Sequence, residues 1–518
     1  MRGIWTGIVF LLLGLHVQAQ DFPRRWFYCP MSFDADENVS WFSNVVRTAS
    51  ASGMNGVMLG GGVEFSSGWP PAHMARLRAA KRLCDDIGVE IVPSIFSFGY
   101  GGYGDGRIEG VPVNGVRYHA KDGRAVWAGD ADVSELGTEC PQVGRGMNRL
   151  VRRARVTSAS RYRLSCDIRT DGVEADRPIE LWALDAARKD FFLQGKRTFH
   201  LMSTQDWTTC ALDFNVHDDE TNVYVYAGYQ GGWRKGTVSF RRFRLERIAP
   251  ASVLSPRPGT PVRLRNARTG EAYVVGRDFA CPKFRRPKDC APEAAVSFEL
   301  LADGKIREGT ELVLDCYEPA VVNGSQVSTC LTEPELYEYV VASVTRVEQV
   351  LSPKTWHLTM DEFRNGGTCA ACRATGKTMA EIYGTAVTRI FNIIRSVHPG
   401  AEIHLWSDML DPNHNGVECY FNCRGSFADA WRHVPSGPDG LVIDCWYGEK
   451  CEQSLAFFSA HGFRTLAAAY YDERPPFANS RRWREAGVKT EGFQGYMYTT
   501  WRRNFADLPE FCNLWRTY

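Results

Sequence analysis

The spacing of apolar positions changes twice along the chain. Between residues 26 and 98, short apolar runs alternate with stretches whose apolar residues recur at helical spacing. This predicts strands at 26–33, 56–59 and 89–98 and helices at 39–52 and 72–87. That βαβαβ order predicts parallel strands, since a covering helix brings the chain back to the sheet in the same direction. From about residue 125 to residue 248 the helical spacing is lost. Short alternating runs at 162–168, 179–184, 208–214, 222–229 and 238–245 predict antiparallel strands with one dry face. A further β-rich stretch, 261–302, carries a hairpin signal at Thr269-Gly270. From residue 311 the first rhythm resumes, with strands at 311–317, 356–360, 402–406, 441–446, 465–470 and 495–500 and helices at 333–350, 378–397, 452–460 and 481–486.

The expected fold is α/β, a (β/α)8 TIM-type barrel interrupted by an inserted antiparallel β-sandwich. Nine strand candidates compete for the eight places of such a barrel, so one of them belongs elsewhere. The expected organisation is a signal peptide at 1–19, the first part of the barrel at 20–124, the sandwich at 125–250, a β-rich bridging segment at 251–310, and the remainder of the barrel at 311–518. Met1 and Arg2, an apolar core from Ile8 to Leu15 and the small-residue pattern Val17-Gln18-Ala19 read as a secretory leader. Its removal would leave a soluble protein in the periplasm or outside the cell, and no later stretch approaches the ~20 apolar residues of a membrane span.

Composition narrows the partners. With 44% hydrophobic and 12% aromatic residues the chain can bury a large core, and 61 basic against 60 acidic residues leave a net charge of +1. That balance lacks the basic footprint of a nucleic-acid binder and suits a neutral substrate. All sixteen cysteines follow the leader, so disulfides are open to an exported chain, with no pairing readable from spacing. Cys369 and Cys372 with Cys419 and Cys423 form one conceivable zinc quartet, although the second spacing is not a tight knuckle. A disulfide or plain buried thiols are the competing readings, and no metal or cofactor is expected. Cys29, Cys316 and Cys445 stand inside apolar runs and read as small buried hydrophobes. Oligomeric state is not readable.

The candidate chemistry lies in Trp356-His357-Leu358-Thr359-Met360-Asp361-Glu362, where two adjacent carboxylates end an apolar strand and precede Gly366-Gly367. Barrel enzymes keep their reacting groups at such strand ends, and paired carboxyls there can divide acid and stabilising roles. Adjacent acidic pairs such as Asp85-Asp86 recur elsewhere, so position is what separates this one. The competing reading is a structural ion pair with Arg364 or Arg373. Phosphate-loop, His-Glu-x-x-His and Gly-x-Ser-x-Gly patterns are missing from the sequence, which leaves nucleotide, metalloprotease and esterase readings unsupported.

The run Cys330-Leu331-Thr332-Glu333-Pro334-Glu335-Leu336-Tyr337, the strand ending in Asp361-Glu362, then Cys369, Cys372 and His404-Leu405-Trp406-Ser407-Asp408 resembles the catalytic barrel of glycoside hydrolase family 20, the β-N-acetylhexosaminidases. That family places a His four residues before its Asp-Glu pair, as His357 stands here, and a Trp followed by an acidic residue on the next strand, as with Trp406 and Asp408. The resemblance extends over residues 311–411. Two departures stand out: the first strand lacks the family's sugar-holding Arg, and the last strand, Tyr498-Thr499-Thr500-Trp501-Arg502, has no Glu after its Trp.

The resemblance implies substrate-assisted retention, in which the sugar's own acetamido oxygen attacks the anomeric carbon and no protein nucleophile is needed. Glu362 would be the general acid and base, kept neutral by a wall drawn from Trp406, Trp446 and Trp501. Asp361 would stay ionised and hold the acetamido N–H. Tyr447 is a candidate donor to the acetamido carbonyl, Asp408 a partner for sugar hydroxyls or for Tyr447, and His357 an orienting group. Asp444 and Glu318 are weaker candidates. The sandwich pattern resembles the jelly-roll carbohydrate-binding modules, with Trp182, Tyr229 and Trp233 available to stack on sugars or to serve as core. Two other readings remain open: a glycosidase using separate carboxylates, such as Glu318 or Asp408 with Glu362, and a barrel that binds glycans without cleaving them.

Overall fold

The computed structural model describes residues 22–516 apart from 102–106, 130–131, 138–148, 187–192, 230–232, 283, 285–294, 322–325 and 419, so the expected leader at 1–19 lies outside the described residues. The chain divides into two compact units, one of Met1–Ser94 with Val442–Tyr518 and one of Ile95–Leu441. Eight parallel strands occur among the described residues: β1 (Arg24–Pro30), β2 (Gly56–Gly60), β3 (Glu90–Pro93), β4 (Thr355–His357), β5 (Glu402–Trp406), β6 (Val442–Cys445), β7 (Arg464–Tyr471) and β8 (Phe493–Thr499). They are the eight that remain when the 311–317 candidate is set aside.

The first unit holds six of them in the neighbour order β6-β7-β8-β1-β2-β3, with Trp26 opposite Gly56 and Asp444 opposite Leu466. β7 reads Arg-Thr-Leu-Ala-Ala-Ala-Tyr-Tyr and is buried from Thr465 to Tyr470, the continuous apolar run required of a parallel strand covered on both faces. Gly56 leaves room for the Trp26 indole, which a Cβ there would meet at 2.4 Å. Helix α1 (Asp36–Ala51) opens with Asp36 and Glu37 against its N-terminal dipole and buries Phe42, Val45, Val46 and Ala49 at helical spacing. Helix α2 (Pro71–Asp86) starts on a proline, whose missing N–H is harmless in a first turn.

In the second unit β4 and β5 pair in parallel, with His357 opposite His404. Helix α3 (Pro334–Leu351) precedes β4; the short α4 (Ala370–Ala374) and the long α5 (Met379–Val397) lie between β4 and β5. α5 begins with a capping box, Thr378 accepting the Glu381 N–H while the Glu381 carboxylate accepts the Thr378 N–H.

Three antiparallel sheets complete this unit. One orders Leu193–Phe199, Ile179–Asp185, Asn222–Gly228 and Arg149–Arg155; a second orders Ser203–Val216, Ser160–Ala175, Trp233–Ile248 and Val133–Glu135. Both feed one apolar core, with Leu181 and Val225 from the first and Leu164, Leu212 and Leu245 from the second. The third sheet has six strands: Ala272–Tyr273, Arg263–Asn266, Glu311–Pro319, Gly110–Lys121, Arg124–Trp127 and Phe298–Glu299.

Glu311–Pro319 therefore pairs antiparallel with Gly110–Lys121 instead of joining the parallel set. Its inward residues are Leu312, Leu314 and Cys316, with partly exposed residues between them. That one-sided burial belongs to an antiparallel strand; the apolar content of the run hid the alternation.

Candidate active site

β4 is three residues long and fully buried, and the chain after it leaves extended geometry at once. Thr359, Met360, Glu362 and Asn365 all take left-handed backbone conformations, with φ of 54°, 56°, 48° and 52°. Each costs on the order of 1–3 kcal/mol for a residue with a Cβ, so tertiary contacts must hold the turn. They are present. Thr359 N–H donates to His357 Nδ1 at 3.0 Å, and its hydroxyl donates to the Ile95 carbonyl at 2.7 Å. Tyr383 donates to the Met360 carbonyl at 2.8 Å, Glu362 N–H to Asp408 Oδ2 at 2.9 Å, and Arg364 N–H to Ser328 Oγ at 2.9 Å. Gly99 abuts the turn so closely that a Cβ there would lie 1.8 Å from the Asp361 carbonyl oxygen.

Three carboxyls meet here. Asp408, in the turn just after β5, is 0% exposed, and its Oδ2 also accepts from Asn415 Nδ2 at 3.1 Å. Burial, reinforced by the neighbouring Asp361 charge, holds its proton on well above the usual carboxylate range. Asp361 is half-buried and shifted upward by burial, a shift that its own backbone N–H and Arg364 only partly offset. Glu362 keeps 22% of its side chain exposed and pairs with the Arg364 guanidinium at 2.8 Å. Arg364 lies 5.0 and 5.1 Å from the Tyr100 and Phe421 ring centres and donates to Gln326 Oε1 at 3.1 Å.

Burial acts on Asp361 and Asp408, while the guanidinium sits on Glu362. Of the two arginines considered for an ion pair, Arg364 makes it; Arg373 pairs with Asp218.

The second unit thus brings together His357, Asp361, Glu362, Trp406 and Asp408. His357 is buried, its ring 4.6 Å from Trp406 and its Nδ1 occupied by the turn backbone, which makes it a brace for the turn. Trp406 is 4% exposed and presents little face to a ligand. Trp446, Tyr447 and Trp501 belong to the first unit. There Trp446 stacks on Tyr471 at 6.5 Å and 10°, Tyr471 meets Trp501 at 6.3 Å, and Trp501 meets Tyr28 at 5.2 Å. Trp501 is 50% exposed, and its backbone N–H donates to Asp472 at 2.8 Å. The Tyr447 hydroxyl donates to Glu449 at 2.9 Å.

Other candidates move. Glu318 lies in the six-stranded antiparallel sheet, holding Arg161 at 2.8 Å, Asn215 at 2.9 Å and the Ala251 N–H at 2.7 Å, so it is a structural carboxylate of that sheet. Asp444 is fully buried within β6. Tyr229 is core, with its hydroxyl donating to the Leu201 carbonyl, while Trp182 lies beneath Lys196 and donates to Glu180. The zinc quartet does not assemble as drawn. Cys423 donates to the Phe363 carbonyl and Cys419 lies outside the described residues; Cys369 and Cys372 instead meet Cys330 and Glu109. Cys29, Cys316 and Cys445 are buried.

Sequence reasoning missed Tyr383, Asn415 and Gly99, whose roles arise only through folding. It also missed Tyr471 and Asp472, for which a signal existed: an aromatic and an acidic residue end β7 much as Trp406 and Asp408 flank the end of β5.

No protein-family profile matches the chain, and no curated protein sequence does. Among solved structures, a β-N-acetylhexosaminidase from Bacteroides fragilis NCTC 9343 aligns with 38% of this chain and 42% of its own at 11% identity and a TM-score of 0.28. The glycoside hydrolase family 20 β-N-acetylhexosaminidase from Streptomyces coelicolor A3(2) aligns with 38% and 40% at 12% identity and a TM-score of 0.24. A chain described as "CBM4 structure and function" aligns with 25% of this chain and 75% of its own at 18% identity and a TM-score of 0.17. The chain spans less than half the length of these two hexosaminidases, and the chemistry of the site rests on its own residues.

Proposed function

We propose that the protein is an exported glycoside hydrolase that cleaves N-acetylhexosamine-type linkages in oligosaccharides or glycans by substrate-assisted retention, working through Asp361 and Glu362. The observation that carries this reading is the turn after β4: two adjacent carboxylates in a turn whose Thr359, Met360, Glu362 and Asn365 take left-handed backbone conformations, with Glu362 tied through its N–H to Asp408. Strain retained at a strand end by so many independent contacts is the pattern of a preorganised site.

In this reading the acetamido oxygen of the bound sugar attacks the anomeric carbon as Glu362 passes a proton to the departing glycosidic oxygen; Glu362 then takes a proton from water as the oxazolinium opens. Asp361 accepts the acetamido N–H. Asp408, neutral and buried, fixes the Glu362 backbone. The linked rings of Trp446, Tyr471, Trp501 and Tyr28 offer apolar faces suited to pyranose C–H groups.

One observation favours a second reading. Burial raises Asp361 while Arg364 sits on Glu362, the division expected if Asp361 is the acid and Glu362 the ionised partner of a glycosidase indifferent to the acetamido group.

The test is hydrolysis of aryl β-GlcNAc, β-GalNAc, β-Glc and β-Gal by wild type, Asp361→Asn and Glu362→Gln. The proposal expects turnover of the N-acetyl sugars alone and a loss on the order of 10²-fold or more in each variant. Hydrolysis of sugars without the acetamido group would transfer the assignment to the second reading. Wild-type rates in both variants would remove these carboxylates from the chemistry.

A further inference from the structure

Behind the same turn lies a cluster that the glycosidase reading does not use. Glu109, Cys330, Cys369 and Cys372 are all buried, and one donor atom from each lies within 4.8 Å of the others. Cys330 Sγ is 3.3 Å from Cys369 Sγ and 3.6 Å from Cys372 Sγ, and Cys372 Sγ is 3.1 Å from Glu109 Oε1. A disulfide bond length is about 2.05 Å. Two thiolates on one tetrahedral zinc, each about 2.3 Å from the ion, stand about 3.8 Å apart. The observed sulfur separations lie much nearer the second geometry.

We propose that Cys330, Cys369, Cys372 and Glu109 form a closed, four-coordinate site for zinc or a comparably thiophilic divalent cation, which staples the turn carrying Asp361 and Glu362 to the rest of its unit. The ligand types fit such an ion, soft thiolates with one carboxylate oxygen. The supporting shell is in place. Cys372 N–H points at Cys369 Sγ at 3.4 Å, the Thr332 hydroxyl lies 3.3 Å from both Cys330 and Cys372, and Glu109 accepts the Cys369 N–H at 3.0 Å and the Gly367 N–H at 3.2 Å. Gly259 packs against the group, where a Cβ would lie 3.3 Å from Cys369 Sγ. The cation would also answer a cost that the cluster otherwise carries. Glu109 is buried, and three buried thiols share its pocket. On binding, each thiol passes its proton to solvent and the ion meets three thiolates and a carboxylate. The net charge of −2 would be partly balanced by Arg257, which pairs with Glu333 beside the cluster.

The cysteines reach the site from two segments, Cys330 ahead of α3 and the Cys369-x-x-Cys372 step at α4. Only Gly367 and Thr368 lie between Gly366 and that step. A cation here would therefore fix the far end of the strained turn.

The experiment is elemental analysis of the full-length mature protein, purified without chelator from zinc-supplemented medium, alongside Cys330→Ser, Cys372→Ser, Glu109→Gln and a control, Cys281→Ser. The expected result is about one zinc per chain in wild type and control, with metal content about tenfold lower or less in the cysteine variants. Wild-type protein stripped, reduced and reloaded with cobalt should show the sulfur-to-cobalt charge-transfer band and the intense visible bands of a tetrahedral site. This readout needs neither activity nor a folded variant. Metal-free wild type with no cobalt spectrum would overturn the proposal, as would a Cys330–Cys369 or Cys330–Cys372 disulfide in a non-reduced digest. Neither outcome bears on which sugar the enzyme cleaves, so this proposal and the glycosidase reading can fail separately.

Discussion

The two four-stranded antiparallel sheets and the turn after β4 belong to one unit but hold their shapes by opposite means. In the sheets, every second residue points inward: Ile179, Leu181, Ala183 and Asp185 are buried while their neighbours are half-exposed, and the backbone satisfies itself across the ladder. Charged side chains pair across the ladder, as Asp213 does with Arg161 and Arg163. In the turn, Thr359, Met360, Glu362 and Asn365 adopt conformations that the chain disfavours, and they are held by Ile95, Tyr383, Asp408 and Phe421 from elsewhere in the sequence. Alternation secures a sheet that tolerates local change. A strained turn depends on each of its few contacts, and such a region is suited to positioning reacting groups.

The largest expected stability effect lies on the sheet side. Leu181→Ala removes a fully buried side chain from the shared core and should cost about 2–5 kcal/mol in denaturant unfolding, while activity per folded molecule stays at the wild-type level. A fall in activity per folded molecule would break the contrast. On the turn side, Gly99→Ala forces a Cβ against the Asp361 carbonyl and should cost about 1–3 kcal/mol. Activity should fall much further, by roughly 10²-fold, because the carboxylates are displaced. Unfolding and turnover measured on the same samples test whether the two effects separate.

The smallest effect is in pH dependence. Asp408 has a folded pKa raised above its unfolded value, so its neutral form contributes stability that is fully present below the ordinary carboxylate pKa and lost as pH rises through the folded value. Asp408→Asn, neutral at every pH, should therefore lose that part of the decline in Tm between the carboxylate range and neutrality, while keeping an acceptor for the Glu362 N–H. An unchanged slope would mean that the carboxyl ionises without cost.

Much of the fold was legible because periodicity survives in a single sequence. The strands at 56–59 and 402–406 fall within one residue of their observed bounds, and the parallel rhythm and the alternating stretch stand where apolar spacing put them. The Glu311–Pro319 strand misled, since a one-sided strand rich in Leu, Val and Cys reads like a buried parallel one until its partner is known. That single misplacement also carried Glu318 into the candidate list. At the site, Asp361 and Glu362 stood out by strand-end position and His357 and Asp408 by the family resemblance, and the fold brings the four into one unit. Tyr383 and Gly99 were not, because a Tyr inside a helix and a Gly in a loop carry no mark of what they will touch.

The sequence by itself determined which segments become most of the strands and helices and that Asp361 and Glu362 follow a parallel strand. Those properties follow from periods of two and 3.6 residues, which depend only on near neighbours. Tertiary structure alone decided the electrical state of the site and the company its cysteines keep. Asp361 presses on Asp408 because strands separated by two helices are brought side by side, and Glu109 meets three thiols more than two hundred residues away. Burial and charge proximity are properties of space, and they set which carboxyl holds a proton.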